Sequence, residues 1–441
     1  MITKEPVINV GIMDGVQEVR GTFHGTFQIQ GTAITGNFSV RPENGKLVVH
    51  DAHGKAIASA ASIECRRVNN ATFTLRDVTI GIQFHWERKE DQTFQGALTL
   101  RLRDTGAIAV INVVSVEEYL ASVISSEMSA GAPMELLKAH AITSRSWLVA
   151  MLEREHRNIG VPSQRSLQQG HELIRWYDRE DHDLYDVCAD DHCQRYQGIT
   201  KILSKGAVDA VSATRGTFLV YGNEICDARF SKACGGLSEE FEYAWEDKHI
   251  PYLTTIADST VHHTRILTES QAAAWIHSRP DAYCNTTDGA ILKQILPSFD
   301  QETTDFFRWK VEYAREELEE IVRTKSGMDF GMIKNLVPLQ RGPSGRIYRL
   351  NIEGSKMTMT VGKELEIRRW LSKSHLYSSA FTIETERDAQ GIPKRFFLHG
   401  AGWGHGVGLC QIGAAVMAAK GFKAEEIVKH YFTGVELKKL Y

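Results

Sequence analysis

Three groups of residues in this chain have types and spacings suited to chemistry. The first is a lone carboxylate on an apolar helical stripe. In the stretch SVEEYLASVISSEM, Val116, Leu120 and Val123 fall at i, i+4 and i+7, and Glu127 is the next position on that face. Burial costs a carboxylate its hydration, so this glutamate should hold its proton more tightly and could serve as a general acid on a glycosidic oxygen. It could equally cap the following helix or pair with Arg145, because structural ion pairs also perturb titration. The second group is His182, Cys188, His192 and Cys193, four candidate ligands within twelve residues. Thiolate and imidazole donors at short spacing suit tetrahedral zinc, and four of them close a shell as a structural site does. Reduced cysteines and solvated histidines on a loop are the plain alternative. A Cys–His nucleophile is disfavoured, since residues 192 and 193 would point apart on a strand. The third group lies in GAGWGHGVGLCQIG. Its glycines never satisfy G-x-G-x-x-G, so nucleotide phosphate binding is unsupported. A backbone almost bare of side chains instead carries Trp403, His405 and Gln411 to a tight turn suited to a sugar ring. A structurally satisfied histidine would produce the same pattern.

The elements that must position these residues are readable in outline. Ser115 and Glu118 form a capping box for the Glu127 helix. A second helix opens at Pro133, with Leu137, Ala141, Ser144, Leu148 and Met151 as a narrow stripe and His140 and Arg145 on its flanks. The two are expected to form a helical pair. Residues 1–95 alternate in strand fashion (GTFHGTFQIQG, KLVVHD, ATFTLRD) between turn signals and read as a β-rich region without a catalytic constellation. Residues 155–187 are polar and loop-like. The span 96–257 closes with a small-residue turn, Ser231, Cys234, Gly235 and Gly236, whose exposed backbone could hydrogen-bond a sugar. Glu239, Glu240, Glu242 and Glu246 after it read as a solvated charged face, with a second catalytic carboxylate as the alternative. Residues 258–340 are polar and helical in pattern, an accessory lobe, and strands return within 341–441. The fold class expected is α+β.

Composition narrows the function classes. The chain has 441 residues, 42% of them apolar and 24% charged, with a formal charge of −4. These are values of an ordinary soluble protein long enough for two or three lobes, and they offer no electrostatic case for nucleic acid or an anionic membrane. No apolar run approaches a membrane span. The amino terminus lacks an apolar signal core, which points to the cytoplasm. Seven cysteines without a regular framework argue against a disulfide scaffold.

Two of these stretches carry a family resemblance. VISSEM followed by PMELLKAHAITSRSW, and the carboxy-terminal GAGWGHGVGLCQ, resemble the two diagnostic motifs of the SpoIID/LytB family, the stage II sporulation protein D group. The resemblance covers about 96–257 and 340–441. It implies a SpoIID-type catalytic core and a peptidoglycan lytic transglycosylase acting on glycan strands or muropeptides, with Glu127 as the acid and base. It also implies that His182, Cys188, His192 and Cys193 bind a structural zinc, and that Arg145, Ser231, Cys234, Trp403, His405 and Gln411 lie at the substrate. Ser129 stands where proline is frequent and Cys410 where serine is usual. The family usually works on cell wall outside the membrane, so the resemblance implies periplasm or cell envelope against the cytoplasmic expectation. Its other name, amidase enhancer, implies an alternative: a non-catalytic wall-binding regulator of a cell-wall amidase. A hydrolase using water, with one of Glu239 to Glu246 as second carboxylate, is a further alternative.

Overall fold

The computed structural model describes residues 2–82, 87–128, 131–157, 166–177, 182–190, 192–202, 205–296 and 305–441. Ser129 and parts of the polar segment 155–187 fall outside them. The chain is an α+β protein that divides into two compact units: Met1–Ala132 with Arg179–Thr217 and Lys439–Tyr441, and Pro133–Asp178 with Phe218–Lys438. The two helices expected as a pair are thereby divided. Val116–Glu127 belongs to the first unit and Met134–Arg157 to the second. Among the described residues no helix is long and apolar enough to cross a membrane.

The first unit is built on an 11-stranded sheet. Alternation does what the residue pattern requires. In Val19–Ile29 and Thr72–Ile80 the apolar side chains face inward and the polar ones outward, except where the ladder bulges. The inward rings form a continuous row. Phe23 lies 4.4 Å from Phe27 and 4.2 Å from Phe38 between centroids, and Phe73 lies 5.5 Å from Phe94. Phe94 in turn meets Tyr196 at 5.9 Å, and Tyr196 stacks on Tyr119 at 5.0 Å. Each buried ring contributes about 2–3 kcal/mol of transfer free energy. The row therefore ties the Glu127 helix firmly to the sheet. The expected boundary near residue 95 falls within this sheet, since Ala97–Leu102 pairs with Ser62–Arg67 and Ile108–Ser115 pairs with Val7–Val16.

The second unit contains a five-stranded sheet with strands Ile333–Arg341, Ile347–Gly354 and Thr358–Gly362 at one side, and a three-stranded sheet of Arg308–Ala314, Pro393–Ala401 and Phe381–Arg387. Segment 258–340, expected as a helical lobe, supplies a strand to each of these sheets. Its Trp309, Leu318, Ile321 and Val322 share one core with Leu350, Trp370, Phe381 and Leu398. Polar helical patterning there reflects one exposed face of Arg315–Ser326, where Glu316, Glu317 and Glu320 are exposed while Leu318, Ile321 and Val322 are buried.

Candidate functional site

Glu127 is the last residue of its helix and is 8% exposed. The helix starts where the capping residues put it: the Ser115 hydroxyl accepts the Glu118 N–H at 3.3 Å, while the Glu118 carboxylate turns to the Ser115 hydroxyl and to Arg67. Nearly the whole helix is buried, not one stripe of it, because the sheet lies against one side and helix Lys205–Ala213 packs against another. A helix carboxyl end is a poor place for an anion, so the carboxylate needs a donor. The backbone N–H of Arg195 supplies one, 3.1 Å from Oε1.

The segment holding Arg195 is itself anchored. Gln197 donates its N–H to the Ser122 hydroxyl at 3.1 Å, and the Tyr196 hydroxyl donates to Asn112 Oδ1 at 2.6 Å. Val187–Cys188 runs parallel to Val10–Gly11 at the sheet edge, and Ala189 N–H bonds the Gly11 carbonyl at 3.0 Å. Gly11 has to be glycine here, because a Cβ would come within 2.5 Å of the Tyr185 ring.

Between these two anchors sit His182, Cys188, His192 and Cys193, whose candidate ligand atoms all lie within 4.8 Å of one another. Cys193 Sγ is 3.4 Å from His182 Nε2 and 3.5 Å from His192 Nδ1, and Cys188 Sγ is 4.0 Å from His192 Nδ1. Residues 192 and 193 meet because they lie on a turn, where Cys193 N–H bonds Asp190 O, and not on the strand assumed from the spacing. A hydrogen bond from Cys193, with His182 and His192 adding to it, holds the Cys188 thiol far below its ordinary range despite partial burial. Two sulfurs and two imidazole nitrogens so placed are a donor set that fits a tetrahedral soft cation.

The second unit holds the other predicted residues. Gly402, Gly404, Gly406 and Gly408 all have positive φ, which bends the chain back on itself between strand Pro393–Ala401 and helix Gln411–Ala419. Trp403 exchanges backbone hydrogen bonds with Ala233 and stacks its ring against Phe306 and Tyr377, at 4.7 and 4.5 Å. His405 packs edge-on to Trp245 at 4.8 Å, and its Nδ1 accepts the Val407 N–H at 3.0 Å. Burial, followed by the charges of Arg229 and Arg346, holds this imidazole well below its usual range, so it is neutral and a poor proton donor at neutral pH.

Several expected contact residues lie inside the protein. Arg145 is 0% exposed and Gln411 3%. Gln411 donates its amide to His140 Nε2 at 3.0 Å, and burial lowers His140 to about 3, which keeps it the neutral acceptor. Ser231 and Cys234 are buried as well. The acidic run is not a solvated face either. Glu239 and Glu240 are buried, Glu240 paired with Arg265 at 2.7 Å. Glu239 accepts from the Ser344 hydroxyl at 2.6 Å, and burial raises it to about 7 even with Arg346 nearby. The sequence did not single Glu239 out from the acidic run, because its partners Ser344 and Arg346 are about a hundred residues away.

Comparison with known proteins gives matches in both units. A family model described as "Stage II sporulation protein" matches residues 104–221, which include Glu127, Arg145 and the four Cys/His residues. Stage II sporulation protein D of Bacillus amyloliquefaciens is 26% identical over 324 residues, 74% of each chain, and that of Bacillus subtilis is 24% identical over 328 residues, again 74% of each. Residues 104–221 are thus similar to a stage II sporulation protein domain, and the chain resembles stage II sporulation protein D over 74% of its length. An uncharacterized protein of Brachyspira hyodysenteriae is 25% identical over 329 residues, 74% of this chain and 68% of the relative. Residues 239–408, with Trp403 and His405, match a second model described as "Domain of unknown function (DUF8618)".

Proposed function

We propose that this chain is a member of the stage II sporulation protein D family and acts on the cell wall as a lytic transglycosylase that cleaves peptidoglycan glycan between N-acetylmuramic acid and N-acetylglucosamine. The observation that carries the reading is the placement of Glu127, a carboxylate at the carboxy-terminal end of a buried helix, held at one oxygen by Arg195 N–H. In this reaction the Glu127 carboxyl gives its proton to the glycosidic oxygen as the bond to C1 breaks. The resulting carboxylate then takes a proton from the muramic C6 hydroxyl as that oxygen closes onto C1, leaving a 1,6-anhydro end. The nucleophile belongs to the substrate, so a second carboxylate is not needed, in contrast to ordinary glycosidases.

His182, Cys188, His192 and Cys193 would hold zinc, whose contribution is to fix the loop as a structural cross-link. This chain's residues do the rest. Arg195, two positions beyond Cys193, orients the carboxylate, and Tyr196 and Gln197 fasten this segment to Asn112 and Ser122. The low exposure of Glu127 favours a second reading, in which it is a structural residue of a wall-binding regulator of an amidase. Mass analysis of products from peptide-free glycan strands separates the two. Anhydro-ended fragments made by the wild type and absent with Glu127→Gln support the transglycosylase, whereas binding without cleavage by either protein supports the regulator.

A further inference from the structure

Cysteines far apart in the chain meet in the second unit. Cys234, Asp258, Cys284 and Cys410 come from four separate stretches, all are buried, and their sulfur and oxygen atoms lie within 4.8 Å of one another. The convergence is enforced by backbone bonds: Asp258 N–H to Gly236 O at 3.0 Å, and Tyr283 N–H to Asp258 O at 2.6 Å. Cysteine is among the residues most often fully buried, so three thiols alone could be apolar filling. The surroundings are not those of filling.

The Cys410 sulfur accepts N–H groups from Cys234 and Gly413 at 3.2 and 3.4 Å, and the Cys234 sulfur accepts Gly236 N–H at 3.4 Å. Backbone donors aimed at sulfur are what a thiolate ligand needs around it. Asp258 is 0% exposed, and each of its oxygens is held by a neutral donor, Cys284 N–H at 2.8 Å and the Tyr431 hydroxyl at 2.6 Å. Among the described residues no lysine, arginine or histidine forms an ion pair with it. A buried carboxylate is costly without a cation, and here its neighbours are soft ligands. Gly413 clears the space, since a Cβ there would stand 2.3 Å from Asp258 Oδ1. The sulfurs of Cys234 and Cys284 are 3.7 Å apart. That is far from a disulfide bond of about 2.05 Å. It is close to the ~3.8 Å between sulfurs on a tetrahedral zinc with ~2.3 Å bonds.

We propose that Cys234, Asp258, Cys284 and Cys410 form a second metal site, a closed three-thiolate, one-carboxylate shell for a zinc-type divalent cation. It binds the metal where the Gly-rich turn enters helix Gln411–Ala419 and joins that turn to the Ser231–Gly236 turn and to segment 258–284. Its role is structural, because four protein ligands leave no open position. The site is independent of the proposed reaction and of the Cys/His cluster in the first unit.

The test is metal content of the full-length chain, purified under reducing, zinc-replete conditions, for the wild type, Cys193→Ser, Cys284→Ser and Asp258→Asn. The wild type should carry two zinc ions per chain and Cys193→Ser should keep one. X-ray absorption of the metal left in Cys193→Ser should then report three sulfur ligands and one oxygen. Cys284→Ser and Asp258→Asn should each lose one zinc while keeping the site with two sulfurs and two nitrogens. If Cys284→Ser fails to fold, the ligand count in Cys193→Ser still decides. A single zinc that disappears with Cys193→Ser would overturn the proposal, as would an intact mass two hydrogens light that maps to a Cys234–Cys284 disulfide.

Discussion

The two sulfur-rich clusters make a useful contrast. His182, Cys188, His192 and Cys193 lie within twelve residues on a partly exposed loop, whereas Cys234, Asp258, Cys284 and Cys410 span nearly half the chain and are wholly buried. The first cluster sits one hydrogen bond away from a carboxylate that is a candidate acid. The second sits beneath a glycine-rich turn, among tight backbone contacts. A local cluster can be assembled by a loop late in folding. A scattered one requires four segments to be in place, so it reports on, and reinforces, the tertiary structure of its unit. On the two proposals above, the first cluster positions a reactive group and the second holds a turn.

Four measurements would break or sharpen that division. Glu127→Gln should reduce glycan cleavage by about 10²- to 10⁴-fold, the usual worth of a general acid, while both metal sites stay filled; a turnover assay beside metal analysis checks this. In the second unit the effects should appear in stability. Glu239 is raised from 4.5 to about 7 by burial, so the folded state favours its protonated form. Its stability contribution is full below about pH 4.5 and is lost as pH rises through 7. Relative to Glu239→Gln, the wild type should lose about 3 kcal/mol between those limits, read from denaturant titrations at several pH values. Cys193→Ser should lower turnover by about 10- to 100-fold, the range seen when support of a site is loosened, with substrate binding affected less. Gly413→Ala should cost about 1–3 kcal/mol, because its Cβ meets the Asp258 carboxylate and the Tyr431 hydroxyl; a lowered melting temperature with unchanged metal in the first cluster is the expected result.

Much of the first unit was legible in the chain because its determinants are local. Alternation in Val19–Ile29 and Thr72–Ile80 marks strands, Ser115 marks the start of the Glu127 helix, and the short Cys/His spacing marks residues that meet and could hold a metal. The second unit was harder for the opposite reason. Cys284 lies fifty residues from Cys234, and no spacing announces that they meet. Glu239 and Glu240 look like a solvated acidic run, yet Ser344, Arg346 and Arg265 close over them. Gln411 and Arg145 have the chemistry of sugar ligands, and only packing shows that both are interior. The helical patterning of 258–340 was real but marked an outward face, while Trp309 and Val322 joined the core. The proposed second metal site also accounts for Cys410, which stands at the helix start with its sulfur accepting an N–H.

The most direct test of the central claim is to digest peptide-free glycan strands in oxygen-18 water with the wild type and Glu127→Gln side by side. A transglycosylase closes the muramic C6 oxygen onto C1, so the account predicts anhydro ends that carry no label and that vanish with the variant. Labelled reducing ends, or cleavage that persists undiminished in Glu127→Gln, would contradict it.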